Sequence, residues 1–285
     1  MASQKRQRKR EGQAARRAAL EAARKRADQK RKLLLIGGLV AGVVVLALIV
    51  TTLAGRDKGS DLATTTTTAA PAPPLAAAPP VPAGRALTGD TPCPKADGSE
   101  ERASKFEKAP STCIDPNKTY TAVFTTSAGV VKAKLDPTRT PKTVNNFVVL
   151  ARYHYYDGSS FQRTDPGIDI IQGGAPTTQS IGDPGPGYTI EDEGGKFTYT
   201  EGDLVMARME APNSSGAQYF FSAGPRTVSL DGQGTYVTFG KVTEGLDVLT
   251  QVLASHVACP PGQPECRGGA PQPPVTVTTI TIEES

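Results

Sequence analysis

The 285-residue chain has no tryptophan, only two histidines and four cysteines, and no aromatic residue of any kind before Phe106. A stretch that long without an aromatic ring does not assemble an ordinary core, which excludes a uniform globule. The two histidines, His154 and His256, lie in neither an H-E-x-x-H pattern nor a triad-like context, so metal hydrolysis and Ser/Cys nucleophilic catalysis have little to work with. No G-x-x-x-x-G-K-S/T phosphate cradle occurs, and nucleotide chemistry is not supported.

Charge is absent from Leu33 to Gly55. At about 1.5 Å per helical residue this run reaches across a hydrocarbon core of about 30 Å. A cleaved signal peptide competes as a reading, but its apolar part is usually about 7–15 residues and its charged leader much shorter than the one here. The expectation is one transmembrane helix over 33–55. Residues 1–32 carry 13 Lys/Arg against 3 Asp/Glu, which places them on the cytoplasmic side and everything after Gly55 outside. The basic tail then serves as a topology signal against anionic lipid, each basic residue near the surface contributing about 1 kcal/mol. Residues 93–285 hold 16 basic and 22 acidic residues, so the folded part is acidic and no nucleic-acid partner is expected.

Residues 56–92 read as a solvated Thr/Pro/Ala linker, with five consecutive threonines from Thr64 and prolines at 71, 73, 74, 79, 80 and 82. Proline at that density opposes helix and sheet ladders. A cysteine-containing lead-in, 93–117, precedes a domain over 118–285. Cys93, Cys113, Cys259 and Cys266 all fall on the exported side, where an even number reads as disulfides. Of three connectivities, pairing of sequence neighbours is expected, helped by the Pro-Pro-Gly turn inside the second pair. A metal site formed by these cysteines with His256 is the alternative; it lacks a C-x-x-C spacing, and no metal or cofactor is expected.

Within the domain the periodicity is mostly that of strands. Tyr120–Thr126 and Val130–Leu135 flank Ser127-Ala128-Gly129 as a hairpin, followed by strand candidates at Ser160–Arg163, Ile170–Gln172, Leu204–Arg208, Gln218–Ser222, Val237–Val242 and Val275–Ile282. Two segments have helical period: one capped by Thr140 with Pro141 at its first position and Val144, Phe147, Val148 and Ala151 on one face, the other over Glu244–Leu253. The fold class expected is mainly β, a closed antiparallel barrel capped by two helices and preceded by the transmembrane helix.

A series of segments occurs in a fixed order: Thr140-Pro141-Lys142-Thr143-Val144-Asn145-Asn146-Phe147, Phe161-Gln162-Arg163, Pro166-Gly167, Gln172-Gly173-Gly174, Gly187 to Glu193, Met206-Ala207-Arg208, Asn213 to Phe221, and Leu230-Asp231-Gly232 followed by Val237 to Val242. The series resembles the cyclophilin-type peptidyl-prolyl cis-trans isomerases. That resemblance implies an antiparallel barrel with a substrate groove on its outer face and Pro-containing polypeptides as substrates. It makes Arg163 the catalytic residue, Gln172 a ligand for the substrate backbone, Phe220 the aromatic floor under the proline ring, and Gln218 a neighbouring polar contact. It also implies that Met206 and Ala207 lie along the groove, that Leu230 forms an apolar wall, and that Tyr236 stands where many relatives have histidine.

The chemistry suits what the sequence lacks. Rotation about an X-Pro bond faces a barrier of about 18–20 kcal/mol and needs no nucleophile or metal. It needs a donor for the prolyl nitrogen as its lone pair leaves conjugation, and an always-charged guanidinium supplies one. The sequence also departs from the family pattern. Pro166-Gly167-Ile168-Asp169-Ile170-Ile171-Gln172 is one residue longer than is usual and has no aromatic, leaving Ile168 or Ile170 to fill the proline pocket. Arg208-Met209 replaces a common Asn-Ala pair, and Ser229 replaces the tryptophan that many relatives use to bind cyclosporin. An active isomerase of exported proteins is the first reading. A non-catalytic module that holds Pro-containing segments is the alternative, and nothing in the sequence sets the oligomeric state.

The topology expectation is checked by labelling intact cells with a thiol reagent that cannot cross membranes. Ser60→Cys should react and Ser3→Cys should not; the reverse pattern overturns export.

Overall fold

The alternation that marks the hairpin in the sequence is realised in the computed structural model, which describes residues 75–262 and 266–285. β3 (Tyr120–Thr126) and β4 (Gly129–Leu135) pair in antiparallel register, with alternate residues buried. Around them one sheet of eleven strands is assembled. In chain order its other members are β5 (Ser159–Ser160), β6 (Arg163–Asp165), β7 (Ile170–Gly173), β8 (Asp203–Met206), β9 (Tyr219–Ser222), β10 (Thr238–Glu244), β11 (His256–Ala258), β12 (Gly269–Pro271) and β13 (Thr276–Glu284). The spatial order is β11-β12-β6-β7-β9-β8-β10-β4-β3-β13-β5. The transmembrane expectation at 33–55, the basic tail and most of the linker lie outside the described residues. Among the described residues no helix is long and apolar enough to cross a membrane.

The expected closed barrel is not formed: the sheet curls, but no hydrogen-bonded ladder joins its two ends. The reason lies in the segment anticipated as one strand, Ser160–Arg163. It is split into β5, which pairs with β13, and β6, whose outer edge is taken by β12 through Gly269 and Thr164. With β12 on that edge, β6 does not pair with β13.

The concave side is filled by aromatic rings. Phe124 meets Phe221 at 5.0 Å, and Phe147 meets Phe239 at 5.1 Å and Tyr156 at 5.2 Å between centroids. Phe147 comes from α1 (Pro141–Arg152), which starts at a proline whose missing N–H is no loss there. Thr140 does not cap the helix with its side chain; its hydroxyl donates to the Asp136 carbonyl at 3.0 Å. The cap comes from Glu193 instead, whose carboxylate accepts the N–H groups of Lys142 and Thr143. A carboxylate is well placed at this positive end of the helix dipole. The second helix, α2 (Leu246–Ala254), buries Leu249 and Val252.

Burial of α1 extends beyond the face of Val144, Phe147, Val148 and Ala151. Every residue from Thr143 to Arg152 is buried, because the lead-in lies over the second face. Here β1 (Arg85–Leu87) pairs parallel with β2 (Ala103–Phe106), so a described strand falls inside the segment read as linker. Phe106 is buried and meets Tyr153, Tyr155 and Tyr188 at 5.6–6.3 Å. Asn145 accepts the Cys113 N–H at 2.6 Å and donates to the Ser111 carbonyl at 2.9 Å, joining α1 to the disulfide-bonded loop. Both bridges join sequence neighbours, Cys93–Cys113 and Cys259–Cys266. At the far end of α1, Arg102 donates to three backbone carbonyls, those of His154, Tyr155 (3.0 Å) and Asp157 (2.7 Å). Also in this turn, His154 bridges Asp157 and the Gly98 carbonyl, a structural use of one of the two imidazoles.

Arg102→Ala leaves the Tyr155 and Asp157 carbonyls without that donor, while His154 keeps the Asp157 N–H, and is expected to cost about 3 kcal/mol of stability, read from the urea midpoint. A loss under about 0.5 kcal/mol, the usual range for surface changes, would show that the lead-in is not integral to the domain.

Candidate functional site

Strand register assembles the site. In β6, β7 and β9, Arg163 pairs with Gln172 and Gln172 with Phe220, so the three side chains form one row across three neighbouring strands. Directly opposed residues share a face, and their neighbours in sequence take the other. Thus Tyr219 and Phe221 enter the aromatic core while Phe220 faces outward, where its ring meets Tyr236 edge-on at 5.7 Å. Phe220 is only 3% exposed and Gln172 7%, whereas the Arg163 side chain is 21% exposed, so the arginine is what the row presents to solvent.

Polar contacts fix the row. Arg163 donates through Nη2 to Asp165 Oδ2 at 2.8 Å and more weakly through Nη1 to Gln172 Oε1 at 3.4 Å. Gln172 Nε2 donates to Gln218 Oε1 at 2.8 Å, and Gln218 Nε2 to the Ile181 carbonyl at 3.2 Å. Arg163 Nε is buried and meets no acceptor among the described residues. The guanidinium therefore keeps donors in reserve. At the turn after Gln172, Gly174 has φ +87°, and a Cβ there would lie 2.6 Å from the Ala217 carbonyl oxygen. Only glycine lets β7 and the Gln218 segment approach so closely.

Of the residues singled out in the sequence, Gln218 and Ala207 join this row from adjacent backbone, the Ala207 N–H donating to the Gln218 carbonyl at 2.9 Å. Met206 does not. It pairs with Tyr219 and is fully buried on the core side, because strand alternation places Val205, opposite Phe220, on the outer face. Leu230 ends a 3-10 helix, Pro225–Leu230, and is half-buried, as is Tyr236. Tyr236 is held by its backbone, exchanging hydrogen bonds with the Tyr199 hydroxyl at 2.9 and 3.0 Å. Burial pushes the Tyr199 phenol up to about 12, and the buried phenols of Tyr156 and Tyr219 rise further, so all three act as neutral groups.

The lengthened Pro-Gly segment has a structural explanation that its sequence did not reveal. Ile168 is half-buried and Ile170 buried, Ile170 sharing the Gln172 face. Between them Asp169 adopts φ +51° and turns inward. Its carboxylate accepts the Arg226 N–H at 2.8 Å and pairs with the Arg226 guanidinium at 3.1 Å, while its carbonyl accepts the Ala223 N–H at 2.8 Å. The extra residue thus bolts the turn to the start of the 3-10 helix. The acidic run beyond it is likewise consumed: Lys142 pairs with Glu191 and holds that carboxyl below its usual range, Arg208 pairs with Asp192 at 2.8 Å, and Glu193 caps α1. Arg208 reaches further carbonyls at Met209, Glu210 and Thr235, and the Met209 side chain is exposed.

His256 lies behind the row. Its Nδ1 is 2.8 Å from Thr164 Oγ1, and it belongs to the β11–β12 hairpin stapled by Cys259–Cys266. The four cysteines are therefore used in bridges rather than in a metal site with this imidazole.

Residues 121–282 match the model of a family described as cyclophilin type peptidyl-prolyl cis-trans isomerase/CLD. Peptidyl-prolyl cis-trans isomerase B of Bacillus subtilis is 40% identical over 119 residues, covering 41% of this chain and 78% of that protein. Peptidyl-prolyl cis-trans isomerase-like 2 of Cryptococcus neoformans is 36% identical over 171 residues, 58% of this chain but 28% of that protein. A crystal structure of a cyclophilin type peptidyl-prolyl cis-trans isomerase from Cryptosporidium parvum is 27% identical, with a TM-score of 0.48, covering 59% of this chain and 99% of that one. The lead-in over α1 precedes the family match.

The inward turn at Asp169 predicts a graded response. Asp169→Ala loses charged hydrogen bonds and strains a left-handed backbone, for a cost of about 3 kcal/mol, whereas Asp169→Asn tolerates that backbone and should lose about half as much. Denaturant midpoints decide; equal costs would place the whole effect in the ion pair.

Proposed function

The chain belongs to the cyclophilin-type peptidyl-prolyl cis-trans isomerases, and from that premise we propose that it accelerates X-Pro rotation in exported or cell-envelope proteins, with Arg163 as the catalytic residue. The observation that carries the assignment is the register of β6, β7 and β9, which lines up a solvent-facing guanidinium, an amide and an aromatic ring. The ring of Phe220 takes the proline, Gln172 meets the backbone carbonyl next to it, and Arg163 donates to the prolyl nitrogen as the amide twists. A nitrogen lone pair that has left conjugation accepts a hydrogen bond that the planar amide nitrogen does not. The contact is thus made in the transition state and not in the ground state, which is what raises the rate.

Export rests on separate supports: the uncharged run from Leu33 to Gly55, the basic residues before it, and two disulfides after it, one in the lead-in and one in the domain. Uncatalysed prolyl isomerisation takes tens to hundreds of seconds, which makes it a slow step for chains folding outside the cell.

A protease-free NMR exchange measurement on a Pro-containing peptide tests the proposal with the purified chain. Arg163→Ala should lower kcat/KM a few hundred-fold if the contact provides about 3–4 kcal/mol, comparable to one oxyanion-hole donor. Arg163→Lys should recover only part of this, since an ammonium lacks the planar fork. Equal exchange rates with and without Arg163 would remove the catalytic role and leave a module that holds proline segments.

A further inference from the structure

Arginine is a long side chain, and on an open sheet face it samples many rotamers; something must aim it. We propose that Asp165 is a positioning residue for the reaction, a carboxylate that grips one end of the Arg163 guanidinium and fixes the plane in which its remaining donors lie. The proposal rests on the assignment of Arg163 as the catalytic residue.

Three observations carry it. Arg163 and Asp165 are two apart on β6, so they share a face, and the residue between them cannot change sides. Thr164 is fully buried, with its hydroxyl on His256 Nδ1 and its backbone paired with β12. The carboxylate is itself immobilised. Asp165 begins the turn Asp165-Pro166-Gly167-Ile168, closed by the Ile168 N–H on the Asp165 carbonyl at 3.2 Å, and its Oδ1 accepts the Gly167 N–H at 3.1 Å. Only Oδ2 is left, and it takes Arg163 Nη2 at 2.8 Å. Finally, the clamp outweighs its rival. The other terminal nitrogen reaches Gln172 at 3.4 Å, a weak contact, and Nε has no acceptor among the described residues, so Asp165 is the close partner that sets the fork's orientation. Both partners are about three-quarters shielded, with 21% and 24% of their side chains exposed.

The arrangement has an electrostatic cost that makes it informative. A carboxylate beside a guanidinium weakens the positive field felt by a substrate and occupies one donor. If field strength governed the rate, removing the charge would speed the reaction. If orientation governs it, removing the clamp slows the reaction. We commit to the second.

The turn and the clamp use different oxygens, so one substitution separates them. Asp165→Asn keeps an Oδ1 acceptor for Gly167 and turns an amide N–H₂ toward the arginine donors. It should leave the urea midpoint and KM close to the parent values and lower kcat about five- to tenfold, the factor for one long side chain left to order itself in the transition state. In the Arg163→Ala background the same change should cause no further loss, because Asp165 acts only through the arginine. Nitrogen-15 relaxation of the Arg163 Nε–H should show a rigid side chain in the parent and a mobile one in Asp165→Asn, a readout that a role confined to the turn would not move. An unchanged or raised kcat in Asp165→Asn, an unchanged Arg163 Nε–H mobility, or a further loss on top of Arg163→Ala each overturns the proposal. If Arg163→Ala alone retains full activity, the catalytic assignment fails first, and this is visible before Asp165 is touched.

Discussion

The two-residue period of a β-strand is the constraint on which the domain depends. In Tyr219-Phe220-Phe221, three successive rings are sorted by nothing more than the pleat: the first and third enter the core with Phe124 and Phe147, and the second is turned out toward Tyr236. A slip of one residue between β7 and β9 would place Phe220 in the core and remove it from the Gln172 row. The aromatic core therefore guards the register of the outer face, since a one-residue slip exposes two large rings. Stability and the site are two sides of one ladder.

The second organising element is α1. A helix with one buried face could have served as a lid on the sheet, but this one carries Val148, Val149 and Leu150 in succession, and a run of that kind is buried on more than one side. The lead-in provides the second partner. Asn145 and Asn146, adjacent in sequence, point to different neighbours: Asn145 to the Ser111–Cys113 loop, and Asn146 to the Gly216 carbonyl and the Tyr188 hydroxyl. The helix thus joins the lead-in to the loop that delivers Gln218. The folded unit is larger than the segment that matches the family model.

Much of this was legible in the sequence because it depends on local pattern. The β3–β4 hairpin, the proline start of α1 and the order of the motif segments are local in sequence, and of the three cysteine pairings open to the sequence the expected one is found. What was not legible depends on competition between distant segments. Whether Ser160–Arg163 forms one closing strand depends on the β11–β12 hairpin, almost a hundred residues later, reaching the β6 edge. The capping of α1 passes from Thr140 to Glu193 because the acidic run happens to lie over the helix start. The motif puts Met206 along the groove, yet the pleat sets it opposite Tyr219 on the core side, and Val205, opposite Phe220, is buried as well. Nothing in the sequence singles out Asp165 or Asp169; their partners, Arg163 and Arg226, are what show their use.

The failure of the barrel to close has a consequence for a protein that handles extended chains. An open sheet normally presents two rows of unpaired backbone groups, and an unfolded polypeptide is a ready partner for them. Here one outermost strand, β5, has two residues and the other, β11, has three, and the latter is tethered by a disulfide at the residue that follows it, Cys259. Neither edge is long enough to template a third-party strand. On the function proposed above, a bound chain would be held by side chains on the outer face, from which it can depart, and not stitched into the sheet.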